Sequence, residues 1–181
     1  RAREKTPSAG FYETPELLAS VGRLLGFDPR GVLSSGHVDF MWHAFGENML
    51  DELAAGLLER VGRTGARRVV IDGMGGFIAA PGFRERGGAF MAALMNELRR
   101  RGATTLVTVE QQDASHALVL DPATMSALAD TVLDLHLDLG SSVRRFVSVR
   151  KSRVSRCDLR RHELVLGEAG LAVLEEDRLA P

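Results

Sequence analysis

Asp72 and Glu110 each close a short β-branched run, Val69-Val70-Ile71-Asp72 and Thr104-Thr105-Leu106-Val107-Thr108-Val109-Glu110. In an open parallel sheet the loops that face a ligand converge beyond the carboxyl ends of the strands, so both acids stand at the usual crevice. Gly73, directly after Asp72, allows a close approach of backbone. A carboxylate there can coordinate magnesium or position a water. It can equally cap the next loop or helix, and the strand pattern weighs these two readings evenly. Glu13 precedes Thr14-Pro15, a helix entry, where a negative charge is favourable for the helix alone. Lys151 and Arg153 are two apart, so on a strand they share one face. With Arg144, Arg145, Arg150, Arg156, Arg160 and Arg161 they form a basic region. Such a cluster either meets phosphate or serves as a charged, solvated strand edge that blocks unwanted pairing.

Other chemistries fit less well. A P-loop needs a lysine after glycine, and the two lysines, Lys5 and Lys151, do not follow one. The five histidines, His37, His43, His116, His136 and His162, lack metal-ligand spacing. Asp113, Ser115 and His116 have no nucleophile elbow to make a hydrolase of them. Phe146 is the only aromatic near the arginines, which argues against a nucleic-acid surface. Cys157 is the sole cysteine and makes neither an internal disulfide nor a cysteine-rich zinc site, so a reducing, cytoplasmic setting is expected.

Composition sets the scale. The chain has 181 residues, 45% hydrophobic and 26% charged, with a net charge of −1. That is one domain over residues 1–181, with a real core and no global pull towards anionic partners. No apolar run approaches the ~18–20 residues that span a bilayer, and residues 1–8 do not read as a signal sequence. No membrane partner is expected.

The elements that must position these side chains follow from periodicity. Thr14-Pro15 opens a helix to about residue 25, with Leu17, Leu18, Val21, Leu24 and Leu25 at helical spacing. Residues 27–47 read as a glycine-rich connection with a short strand near 37–40; Phe40, Met41, Trp42 and Phe45 form an apolar knot in it. Asn48 caps a second helix carrying Leu50, Leu53, Leu57, Leu58 and Val61, ended by Gly62. The strand to Asp72, a loop, a helix over 83–101 and the strand 104–110 make a right-handed βαβ unit, hence a parallel sheet. A polar loop over 111–121, a short helix over 122–129 and a strand over 131–136 follow. Residues 143–151, 162–166 and 171–174 then carry hairpin signals, so the sheet is expected to end in antiparallel strands.

Five segments in order resemble the KaiC-type branch of RecA-like ATPases. They are Gly10-Phe11-Tyr12-Glu13-Thr14-Pro15, Val69 to Asp72, Thr104 to Glu110, Ala127-Leu128-Ala129-Asp130, and Lys151-Ser152-Arg153-Val154-Ser155-Arg156 followed by Gly167-Glu168-Ala169-Gly170-Leu171. The resemblance implies an α/β, RecA-like three-layer core with a mostly parallel sheet and antiparallel carboxyl-terminal strands. It implies ATP and Mg2+ as ligands, with Val69 to Asp72 as the Walker B strand and Asp72 holding the metal through water. Glu13 falls in the family's acidic segment that polarises the attacking water, where Tyr12 replaces one of two glutamates. Glu110 falls on the sensor strand. Lys151 and Arg153 match the basic pair that reaches a neighbouring subunit's nucleotide, Arg153 as an arginine finger.

The same resemblance implies a homo-oligomer, a hexameric ring, in signal transduction or regulation with a signalling protein partner; some relatives serve circadian timing. Relatives begin with a strand, the P-loop and its helix, which would lie ahead of Arg1. The expectation is therefore a domain truncated at its amino end, part of a longer product, that binds ATP weakly or not at all in these 181 residues. The alternative is a degenerate domain that has kept the fold and serves as a signalling or scaffold module.

Overall fold

A computed structural model gives the architecture; it describes residues 5–24, 31, 34–44, 46, 49–110, 126–153, 155–167 and 170–174. Four parallel strands, β1 (Thr6–Gly10), β2 (Val38–Trp42), β3 (Arg68–Asp72) and β4 (Thr104–Val107), form one sheet in the order β2-β1-β3-β4. Among the described residues it is accompanied by the helices α1 (Pro15–Leu24), α2 (Leu50–Thr64), α3 (Gly75–Ile78) and α4 (Phe83–Arg100). β5 (Thr131–Leu139), β6 (Val143–Ser152), β7 (His162–Gly167) and β8 (Gly170–Val173) form a second, antiparallel sheet in sequence order. The expected α/β class, with a parallel sheet followed by antiparallel strands, is what the chain adopts.

The strand order fixes the layers. The crossover from β1 to β2 moves one way along the sheet, whereas those from β2 to β3 and from β3 to β4 move the other. Right-handed connections therefore place α1 on one face and α2 with α4 on the opposite one. The α2/α4 face is the core: Val69 and Ile71 of β3 meet Leu53, Leu57 and Val61 of α2 and Met91, Leu94 and Leu98 of α4. Each such fully buried aliphatic side chain is worth ~1.5–3 kcal/mol over leaving it in water.

Local chemistry explains the boundaries. The Thr14 hydroxyl accepts the Leu17 N–H at 3.3 Å and caps α1 as its sequence suggests. α2 does not stop at Gly62. It runs to Thr64, because Gly65 adopts φ 62° and supplies the left-handed C-cap. Gly62 instead makes room for Arg101, whose Nη1 would lie 3.3 Å from a Cβ there.

Several elements differ from the sequence-based expectation. β1 lies in residues whose pattern gives no strand signal, β2 sits slightly later than expected, and α3 occupies part of the expected loop. β4 ends at Val107 rather than at Glu110, and β5 continues past His136 to Leu139. Of the helix expected over 122–129, the described part covers 126–128. Asn48, Phe45 and the 111–121 loop lie outside the described residues. Met41 of the apolar knot is buried in the core and Phe40 packs on Gly10, while Trp42 is exposed.

The second sheet has two unlike faces. Asp134, His136 and Asp138 alternate with Leu133, Leu135, Leu137 and Leu139 along β5. Asp134 pairs with Arg150 at 2.6 Å and Asp138 with Arg144 at 3.6 Å, so one face is laced by ion pairs. The leucines are the exposed set, Leu135 at 75%. Among the described residues both outer strands of each sheet are edges, β2 and β4 in the parallel sheet and β5 and β8 in the antiparallel one.

Candidate functional site

The site is built at the carboxyl edge of the parallel sheet. Gly10 at the end of β1 is in register with Asp72 at the end of β3, which sets Tyr12 and Glu13 beside Asp72 and Gly73. Phe11 turns inwards and anchors this chain exit: it is buried, edge-on to Phe77 at 5.5 Å between ring centroids, and flush against Gly76. A Cβ on Gly76 would sit 2.1 Å from the Phe11 ring, so only glycine fits there.

Thr108 ties two strand ends together. Its hydroxyl donates to Asp72 Oδ1 at 2.8 Å and accepts the buried Gly73 N–H at 2.7 Å. Its backbone N–H donates to Ile71 O and its carbonyl accepts from the Met74 N–H, both at 3.0 Å. The Asp72 carboxylate is thereby fixed in direction at the mouth of the sheet. Gly73, with φ 91°, turns the chain away beneath the Tyr12 ring, which lies where its Cβ would be, 2.6 Å from Tyr12 Cε2.

Tyr12 ties the remaining acids to this edge electrostatically. Partial burial of this otherwise exposed ring raises its phenol above the ordinary value, and the carboxylates of Glu110 and then Glu13 raise it further. The phenol is therefore held in its neutral form. Asp72 thus stands with Thr108 and Tyr12 at this edge, and Glu13 and Glu110 lie within electrostatic range of Tyr12. Sequence reasoning singled out the three acids and noted Tyr12 as a replacement, but it missed Thr108. The available signal was Thr108 standing two residues ahead of Glu110 at a strand end.

Lys151 and Arg153 lie elsewhere. Both contact the 126–130 turn, which Arg99 at the carboxyl end of α4 also contacts. α4 has 18 residues, about 27 Å of helix at 1.5 Å per residue, and returns from the Asp72 edge to the start of β4. The basic pair is therefore at the opposite end of the parallel sheet from Asp72 in the same protomer.

One carboxylate with a fixed direction suits the share that a protein side chain takes in holding a magnesium ion, whose other ligands are phosphate oxygens and water. Among the described residues no group of three or more His, Cys, Asp or Glu side chains can hold a metal by itself. Asp72 thus fits a metal that arrives with phosphates and does not make a free-standing metal site.

The family model described as "ATPase: KaiC" matches residues 28–178. The chain belongs to the KaiC ATPase family. The fold agrees: among 332 matching solved chains is a KaiC-like protein, PH0186, from the hyperthermophilic archaeon Pyrococcus horikoshii OT3, at a TM-score of 0.77 and 20% identity. That match covers 95% of this chain and 76% of that one. No protein of curated function matches the sequence. No helix among the described residues is long and apolar enough to cross a membrane. Membership in the KaiC family makes nucleotide and Mg2+ the general ligand class to weigh against the Asp72 edge.

Proposed function

We propose that this chain is the part of a KaiC-type ATPase that follows its P-loop, and that it hydrolyses ATP when a P-loop segment and a neighbouring protomer complete the site. The observation that carries this reading is the Gly10–Asp72 register with Thr108 locked to Asp72, which fixes the Asp72 carboxylate at the strand edge where Tyr12 lies, with Glu13 and Glu110 in electrostatic range of that ring. Magnesium brought in with ATP supplies charge neutralisation between the phosphates. Asp72 holds the metal's water shell, with Thr108 keeping its carboxylate in one direction. Glu13 accepts a hydrogen bond from the attacking water and draws off its proton. Glu110 serves the γ-phosphate side, and the Tyr12 phenol stays neutral near the two glutamates. Lys151 and Arg153, remote from their own Asp72, act at a neighbour's phosphates. A head-to-tail contact of that kind closes into a ring, here a hexamer, when the rotation permits. A cytoplasmic, signalling role belongs to the same reading.

The open edges support a missing strand. β4 exposes Leu106, and β5 exposes Leu133, Leu135, Leu137 and Leu139. A sheet face that apolar normally packs against another layer. A strand and helix carrying the P-loop would join the two sheets and cover those leucines.

Calorimetric titration of the 181-residue chain with ATP and magnesium tests this. No saturation below millimolar nucleotide is expected, because the backbone amides that cradle phosphate are not in this chain. Micromolar binding would show that the cradle is not needed and would overturn the reading.

A further inference from the structure

Lys151 and Arg153 are held by their own chain. Lys151 Nζ donates to the carbonyl oxygens of Ser126 and Ala129, the latter at 3.0 Å, and to Ser126 Oγ at 3.2 Å. Arg153 Nη2 donates to Ala127 O at 3.1 Å, and its backbone N–H donates to Asp130 O at 2.9 Å. Arg153 Nη1 lies 3.7 Å from the Asp130 carboxylate. Arg99, reaching over from α4, donates to Leu128 O and to Asp130 Oδ2, both at 3.3 Å.

Residues 126–128 are a helical turn. The last carbonyls of a helix have no partner within it and carry the negative end of its dipole. Here four successive carbonyls, from Ser126 to Ala129, each accept a hydrogen bond from a cationic side chain. Asp130 supplies a full negative charge at the end of this row: Arg99 and Arg153 contact it, and Lys151 bonds the Ala129 carbonyl directly before it. It bridges Arg99 and Arg153 and holds residue 153 by both backbone and side chain. Without that charge, two guanidinium groups would face each other across neutral carbonyls.

We propose that Asp130 is a positioning residue, which through the 126–130 turn sets where Lys151 and Arg153 sit in the free protomer. This deepens, and rests on, the reading that the pair serves a neighbour's phosphates. Fixing long basic side chains costs rotamer freedom, and the turn meets that cost before the subunits come together. A phosphate oxygen then displaces the carbonyls, because hydrogen bonds between charged groups are about twice as strong as those to neutral acceptors.

The two lysines make the test direct, since Lys5 is exposed and Lys151 half-buried. Competitive reductive methylation of the 181-residue chain with 13C-formaldehyde, read by NMR, gives a separate signal for each amine. Lys151 is expected to react roughly tenfold more slowly than Lys5, the protection that one or two net hydrogen bonds give. Asp130→Asn should bring the two rates together without moving the thermal midpoint, and Asp130→Glu should restore most of the difference. A merely structural defect would move the midpoint along with both rates. Equal rates in the unsubstituted chain overturn the proposal without any variant, and so does an unchanged ratio in Asp130→Asn. Failure of subunit sharing in a mixed-protomer activity assay leaves these rates untouched, so the two readings fail separately.

Discussion

The Thr108 hydroxyl stands between Asp72 and the start of the loop after it, donating to the carboxylate at 2.8 Å while accepting the Gly73 N–H at 2.7 Å. One small side chain thereby satisfies a buried backbone donor and aims the central acid of the site. The same residue is expected to contribute to stability and to chemistry in separable amounts.

Thr108→Val keeps the shape and removes both hydrogen bonds. Leaving the Gly73 N–H unsatisfied should cost ~1–3 kcal/mol, whereas Thr108→Ser should be nearly neutral. Urea unfolding of the 181-residue chain measures the difference, and equal midpoints for the Val variant and the parent would remove Thr108 from this role.

Asp72→Asn retains an oxygen for Thr108, so the unfolding midpoint should hold. In a form that carries a P-loop, magnesium-dependent hydrolysis should fall by roughly 100-fold or more, about 2.7 kcal/mol of transition-state stabilisation. Turnover assays at saturating ATP decide it; unchanged turnover would take Asp72 out of the site.

Tyr12 is the only tyrosine, so its ionisation can be followed alone by ultraviolet absorbance. Its folded-state pKa lies above the ordinary value of 10.0 through burial and the Glu110 and Glu13 charges. Stability linked to the phenol is then complete below the unfolded value and is lost as pH rises through the folded one. The absorbance midpoint should exceed that of the chain in urea, and Tyr12→Phe should lose less stability than the parent in alkali. A folded midpoint at or below the unfolded one would contradict the placement of Tyr12 among carboxylates.

If Lys151 and Arg153, far from their own Asp72, serve a neighbour's phosphates as proposed, the activity is divisible between subunits. In the P-loop form, Arg153→Ala protomers mixed with P-loop-disabled protomers should regain part of the activity that neither shows alone. Activity that never exceeds the sum of the separate samples would count against a shared site.

Leu135 and Leu137 are exposed on one face of β5. Replacing both with Asp should leave the melting temperature of the 181-residue chain unchanged and raise its solubility, because no packing is lost. In the P-loop form the same pair should be destabilising. A large loss of stability in the short chain would mean that this face is already covered.

The parts that were legible in the sequence are those in which side-chain pattern and environment agree. Val69-Val70-Ile71 and the Thr104 run are β-branched and lie in parallel strands, and the α2 and α4 apolar stripes meet in the core. β1 was illegible because Thr6-Pro7-Ser8-Ala9-Gly10 has no apolar alternation and contains a proline, which argues against an inner strand. Small residues suit it once Phe40 packs where a Gly10 Cβ would be, 2.9 Å from that ring. The acids at the strand tips were readable as candidates. Their joining by Thr108 depends on the register of β3 with β4, which no local pattern encodes. Similarly, the alternation along β5 announces two faces but not that the leucines, rather than Asp134 and His136, are the open one.

α4 begins just beyond the Asp72 loop and ends at Arg100, with Arg99 of its last turn against Asp130. A straight helix of that length is a spacer: it keeps the acidic mouth and the basic flank of one chain on opposite margins of the fold.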